Sequence, residues 1–179
     1  MILVTGFGPF QDVQANPSES LARAVHGRVV AGHRVVGAVL PVAWDAIPWR
    51  VEAWALRLRP ALVVGTGVAR GRSRVAVETC ARPVATGRDV RGVEGRGALG
   101  DASRGPTLDA ATLATALGAD LSDDAGTYLC NAWLFEVPPR VRAPAAFVHL
   151  PDQDLPPERL LAALGVLLRA PDEGDPISR

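Results

Sequence analysis

Apolar and polar positions alternate along this chain in blocks whose period shifts between strand and helix. Residues 1–5 are an apolar run ending at Gly6, which predicts a buried strand. Asn16-Pro17-Ser18-Glu19 then reads as a helix start, with Asn16 as N-cap, Pro17 in the first helical position and Glu19 in the capping-box position. That helix is expected to end near His26-Gly27. Residues 34–40 predict a second strand, closed by Pro41. Ile47, Val51, Trp54 and Leu58 recur at helical spacing and predict a helix to about Arg59, before Pro60. Residues 61–65 form a third apolar strand.

The second half is less regular. Residues 68–74 read as loop. Residues 74–81 alternate as a strand, with Val75 and Val77 on one face and Ala76, Glu78 and Cys80 on the other. Residues 87–105, rich in glycine and charge, read as an exposed loop. A helix over 107–117 is stopped by Gly118, and 120–126 is a polar connection. Residues 128–135 are apolar with aromatics, 145–149 form a strand closed by Pro151, and 158–169 form an amphipathic helix. The alternation predicts an α/β fold: a single-domain three-layer α/β/α sandwich with a largely parallel, mixed sheet. The domain is expected over 1–170, with 171–179 a polar C-terminal tail. In such sheets ligands bind beyond the carboxyl ends of the strands.

Composition narrows the function classes. The 179 residues carry 19 basic and 19 acidic side chains, so no net field argues for nucleic acid or an anionic membrane as partner. All the basic residues are arginine, and none of them form a run. No apolar stretch approaches the roughly 18–20 residues that span a bilayer. Two cysteines, Cys80 and Cys130, are too few for a disulfide framework, and with His26, His33 and His149 they show no metal-ligand spacing. A cytoplasmic location is expected, where thiols stay reduced, and no metal site is expected.

Three residues could carry chemistry. Cys130 falls at an expected strand-to-helix junction, where a helix N-terminus favours a thiolate and offers free N–H groups to an oxyanion. The alternative is a small buried hydrophobe. His149 ends an apolar strand, and Glu78 lies inside one; a satisfied core histidine and an outward-facing carboxylate are the plain alternatives. Together they supply the parts of a nucleophile, base and orienter. The glycine run 65–71 has the spacing GxGxxxG, with no GK[ST] after it, and is expected as a flexible turn at a pocket rim rather than a phosphate loop.

At these residues the chain resembles the pyrrolidone-carboxyl peptidases (pyroglutamyl peptidase I), which remove N-terminal pyroglutamate. The matches run in order: Thr5-Gly6-Phe7-Gly8-Pro9-Phe10, Asn16-Pro17-Ser18, Leu40-Pro41-Val42, Gly71-Arg72-Ser73 with Glu78, Gly126-Thr127-Tyr128-Leu129-Cys130-Asn131, and Phe147-Val148-His149-Leu150-Pro151. The resemblance implies Cys130 as nucleophile, His149 as base and Glu78 as orienter. It implies Phe7 and Phe10 as walls of the pyroglutamyl pocket, with Tyr128 and Leu129 beside them, and Arg88 near the oxyanion site. It further implies small peptide substrates with N-terminal pyroglutamate, no cofactor, and a homo-oligomer. Gln11, Asp12 and Pro83 depart from the family pattern, and all three fall on the expected pocket rim. A homologue cleaving another small lactam or amide, a non-catalytic binding protein, and a nucleoside- or phosphate-handling enzyme are the competing readings of the same scaffold.

Overall fold

The structure is a computed structural model that describes residues 1–10 and 13–169. Gln11, Asp12 and the expected tail from 170 onward therefore lie outside the described residues. Among the described residues, no helix is long and apolar enough to cross a membrane.

The element order is β1 (Ile2–Phe7), α1 (Pro17–Val25), β2 (Val29–Val30), β3 (His33–Leu40), a 3-10 turn (Trp44–Ala46), α2 (Trp49–Leu58) and β4 (Leu62–Val68). It continues with β5 (Ala76–Glu78), β6 (Val84–Ala85), β7 (Gly97–Ala98), α3 (Ala110–Leu117), β8 (Asp120–Ser122), α4 (Leu129–Glu136), β9 (Ala145–Leu150) and α5 (Pro157–Leu167). Seven strands form one sheet in the order β2-β3-β1-β4-β9-β5-β8. The β3–β1–β4–β9 run is parallel, as is β5–β8, whereas β2–β3 and β5–β9 are antiparallel. The expected α/β sandwich with a mixed, largely parallel sheet is the fold observed.

Two apolar layers hold it together. Leu21 and Val25 of α1, Leu113 and Leu117 of α3, and Leu160 and Leu164 of α5 bury against one face of the sheet, with Val4, Val64, Val77 and Val148. Val51 of α2 and Leu129, Trp133 and Leu134 of α4 bury against the other, with Leu3, Val63 and Phe147. Burial of this apolar area is the main force that stabilises the sandwich. Helix α1 lies unusually close to the strands beneath it. A Cβ at Gly6 would overlap the Ser18 carbonyl, and one at Gly37 would overlap the Ala22 carbonyl, so only glycine permits that approach.

Several sequence expectations change. The glycine run is not a flexible turn: β4 extends through Gly65-Thr66-Gly67-Val68, and only 69–74 is loop. The strand expected over 74–81 shrinks to Ala76–Glu78, which leaves Cys80 beyond its end. The polar connection over 120–126 contains β8, an edge strand that tolerates an exposed polar sequence such as Asp-Leu-Ser. Ile47 precedes α2 rather than opening it. Helix α3 starts at Ala110 because Asp109 caps it, accepting from the Ala111 and Thr112 N–H groups.

The stretch 87–105, expected as an exposed loop, is built around buried polar anchors. Gly97–Ala98 pairs with Val84–Ala85 as a two-stranded antiparallel sheet. Asp89 is 7% exposed and accepts hydrogen bonds from the N–H groups of Trp44, Arg91 and Val93. Those bonds order a segment that has few apolar side chains to bury.

Candidate active site

The site forms beyond the carboxyl ends of β4 and β9, on the sheet face that α4 covers. His149 is the penultimate residue of β9, and Glu78 ends β5. In the antiparallel pair β5–β9, Glu78 stands opposite Phe147, so His149 is its diagonal neighbour on the same face. Their side chains meet: His149 Nδ1 lies 2.7 Å from Glu78 Oε1. Both are inside the protein, with Glu78 at 0% and His149 at 5% exposure. A carboxylate buried this deeply needs partners. Besides His149 it has Arg72, whose Nη1 donates to the same Oε1 at 3.0 Å; Ser122 is its register neighbour on β8, and among the described residues Oε2 has no hydrogen-bond partner.

Cys130 is the second residue of α4, after the N-cap Tyr128, and is half-buried. It lines the same cleft as His149, whose Nδ1 is taken up by Glu78, so Nε2 is the ring nitrogen left without that bond. The first backbone bond of α4 runs from the Ala132 N–H to the Tyr128 carbonyl, so the N–H groups ahead of it in the first turn have no intrahelical acceptor.

The two glycines of β4 make this assembly fit. Gly65 and Gly67 face α4 from alternate positions, in register with Phe147 and His149. A Cβ on Gly65 would stand 2.5 Å from the Phe147 ring and 2.7 Å from the Trp133 indole. One on Gly67 would stand 2.7 Å from Cys130 Sγ. The sequence pattern that resembles a phosphate loop is therefore a bare strip of strand on which a helix and a thiol rest.

Charge in the site follows from these contacts. Burial alone would pull the His149 pKa down. The charge and hydrogen bond of Cys130 as thiolate, together with those of Glu78, outweigh it and raise the imidazole to about 9. For Glu78, burial opposes ionisation, but His149 above all, then Ser122 and Arg72, hold the carboxyl below its usual range.

A cleft of about 230 Å³ opens onto the thiol and the imidazole. Phe7, Phe10, Tyr128 and Leu129 line it, with Val42, Val68, Asn16, Gly126, Thr127 and Arg70. Tyr128 is the centre of the aromatic wall. Its ring stands edge-on to Trp44 at 5.3 Å and tilted to Phe10 at 6.5 Å. Its hydroxyl donates to the Arg88 carbonyl at 2.7 Å. Burial, helped by the charges of Asp89 and Cys130, pushes the Tyr128 phenol up to about 12, so it stays a neutral donor.

Arg88 is not among the residues that line the cleft. Its guanidinium is 69% exposed and pairs with Glu94 at 2.7 Å, so only its backbone serves the site. Arg70 lines the cleft instead. Sequence reading gave no role to Arg70, Arg72 or Trp44. For the two arginines the available signal was their place directly after the glycine pair of β4, at the carboxyl end of a central strand. Cys80 does not line the cleft.

The chain is similar to known proteins over most of its length. A family model described as pyroglutamyl peptidase matches residues 1–156. A pyrrolidone-carboxylate peptidase of Mycobacterium marinum is 33% identical over 170 residues, covering 84% of this chain and 76% of that one. One from Chromobacterium violaceum is 33% identical over 162 residues, covering 84% and 77%. In three dimensions, the pyrrolidone carboxyl peptidase of Thermococcus litoralis superposes with a TM-score of 0.79 at 24% identity, over 93% of this chain and 90% of that one.

Proposed function

Since the chain belongs to the pyroglutamyl peptidase family, whose members are cysteine-type omega peptidases, we propose that it hydrolyses the amide bond after an N-terminal pyroglutamyl residue, with Cys130 as nucleophile. The observation that carries this reading is that Cys130 and His149 line one aromatic cleft while Glu78 holds the imidazole from behind at 2.7 Å.

In this reading the thiolate of Cys130 attacks the pyroglutamyl carbonyl carbon. Negative charge moves to the carbonyl oxygen, where the free N–H groups at the start of α4 can stabilise it. The C–N bond then breaks, and His149 gives its Nε2 proton to the departing amine. The resulting thioester is attacked by water, whose proton returns to His149, and the C–S bond breaks to release pyroglutamate. Glu78 keeps the imidazole turned and stabilises its charged form throughout.

The cleft suits the group. Pyroglutamate is a flat, uncharged lactam, which aromatic walls such as Phe7, Phe10 and Tyr128 can enclose without a counter-charge. A volume of about 230 Å³ admits one small ring and little else, because pockets for drug-sized ligands begin near 300 Å³.

The test is turnover of a pyroglutamyl-arylamide by reduced protein, compared with protein blocked by a thiol alkylator and with Cys130→Ala. The expected outcome is arylamine release by the reduced protein alone. No release from it would sink the peptidase reading, and release that survives in Cys130→Ala would remove Cys130 as nucleophile.

A further inference from the structure

Arg72 sits outside the cleft, yet it touches two parts of the catalytic assembly at once. Nη1 donates to Glu78 Oε1 at 3.0 Å, the same oxygen that meets His149. Nη2 donates to the Asp124 carbonyl at 2.6 Å. Asp124 belongs to the short connection between β8 and α4, six residues ahead of Cys130. That connection is fixed by its own turn bonds, from the Asp124 N–H to Ser122 Oγ at 3.2 Å and from the Gly126 N–H to Asp124 Oδ1 at 3.0 Å. One planar guanidinium thus bridges the carboxylate that orients the imidazole and the loop that delivers the thiol.

We propose that Arg72 is a positioning residue of this site, clamping Glu78 to the 122–127 loop so that His149 and Cys130 keep their mutual geometry. The proposal rests on the Cys130–His149–Glu78 reading and deepens it. Arginine suits the task, since its fork presents two donors at fixed divergence and never loses its charge. It is 31% exposed at the side chain while Glu78 is fully buried, so it carries positive charge from the surface to the edge of a dry site.

The groups that face Glu78 are His149 on β9, Ser122 on β8 and Arg72 before β5. Behind His149 stands Cys130 on α4, and Arg70 lies at the cleft. Arg82 pairs with the Asp124 carboxylate at 3.3 Å on the exposed side of the same loop. Arg72 adds one positive charge to the set formed by Cys130, His149 and Glu78. Without it the set carries one positive charge fewer, which disfavours the thiolate and holds the imidazolium proton more tightly.

The experiment compares wild type, Arg72→Met and Arg72→Lys, all in a Cys80→Ser background so that Cys130 is the one alkylatable thiol. Two readouts are taken on each: the pH profile of iodoacetamide alkylation, and kcat and KM for a pyroglutamyl-arylamide. In Arg72→Met the alkylation midpoint should move up by about half a pH unit or more. Its kcat should fall about tenfold or more while KM stays within about twofold, because Arg72 does not line the cleft. Arg72→Lys, which restores the charge beside Glu78 but not the second arm, should recover most of the pH shift and only part of kcat. Should Arg72→Met not fold, Arg72→Gln serves as the uncharged member, with the same expected shift.

An alkylation profile in the uncharged variant that overlays wild type overturns the proposal. So does a lysine variant that behaves as the uncharged one, or a loss confined to KM. If wild type alkylates with the expected profile shift between variants but turns over no pyroglutamyl substrate, the clamp stands and the substrate reading falls.

Discussion

Gly67 lies directly beneath Cys130, so close that a methyl group on it would stand 2.7 Å from the sulfur. The place of the Cys130 thiol is thus set from below by a missing side chain as much as from above by helix α4. Gly67→Ala should push Sγ away from His149 or shift the start of α4. We expect kcat to fall by about 10²-fold, in line with the sensitivity of attack geometry to displacements near 1 Å. Steady-state kinetics with a folded-state check by near-UV circular dichroism would decide it. An alanine variant with wild-type kcat would show that the helix start yields freely.

Glu78→Gln keeps the shape of the orienter and removes its charge. The amide can still accept from Nδ1–H, but it no longer stabilises the imidazolium. A loss of roughly 10²- to 10⁴-fold in kcat with little change in KM is expected. The alkaline limb of kcat/KM should also move to lower pH, because two of the contributions that raise His149 come from Glu78.

The pH dependence of the wild type has a definite sign. The pKa of His149 in the folded chain is raised, to about 9 from an ordinary 6.5. Its contribution to stability is therefore complete below pH 6.5 and is lost as pH climbs through about 9. Activity should fall over the same alkaline range as the imidazolium that protonates the leaving amine disappears. Thermal melting and kcat/KM, both followed from pH 6 to 10, should decline together; a melting midpoint that is flat across pH 8–10 would contradict the assignment.

The aromatic wall is held indirectly. Asp89 fastens the Trp44 backbone, Trp44 packs edge-on against Tyr128, and Trp44 Nε1 donates to the Gly87 carbonyl at 3.3 Å. Asp89→Ala strands three backbone donors. It should loosen the wall without touching the thiol, raising KM severalfold and leaving kcat and the alkylation profile of Cys130 unchanged. A loss in kcat instead would mean that the segment 87–105 acts on the chemistry itself.

Asn16 is a buried cap with several duties. Its Oδ1 accepts from the N–H and hydroxyl of Ser18, and its Nδ2 donates to the Gly8 carbonyl at 2.9 Å. Asn16→Ala should cost about 1–2 kcal/mol. For a chain of this size that lowers the melting midpoint by about 2–8 °C, which calorimetry would read directly.

Much of the layout was legible because it rests on local signals. The Asn-Pro-Ser-Glu helix start, the glycine stop after Leu117 and the apolar strands 1–5 and 145–149 each announce themselves within a few residues. Tertiary contacts set the rest. Gly65 and Gly67 look like a turn in isolation and become strand only because Trp133 and Cys130, more than sixty residues on, occupy the space a side chain would take. Strand β8 has no apolar alternation, since its partner is β5 on one side and solvent on the other. The Cys130, His149 and Glu78 set is marked by the flanking motifs rather than by spacing, and Arg72 stands in its motif without a legible role, because nothing in the sequence says which carboxylate it meets. Arg88 shows the reverse. Its motif position suggested the oxyanion site, and a local partner, Glu94, turns its side chain elsewhere.

Among the described residues β9 is the last strand, and yet it sits in the interior of the sheet, between β4 and β5. During synthesis the earlier strands must wait, for no direct pairing joins the two halves until residue 150 has left the ribosome. The strand that finally bridges them also brings the histidine. The pairing that closes the sheet is therefore also the one that sets His149 beside Glu78.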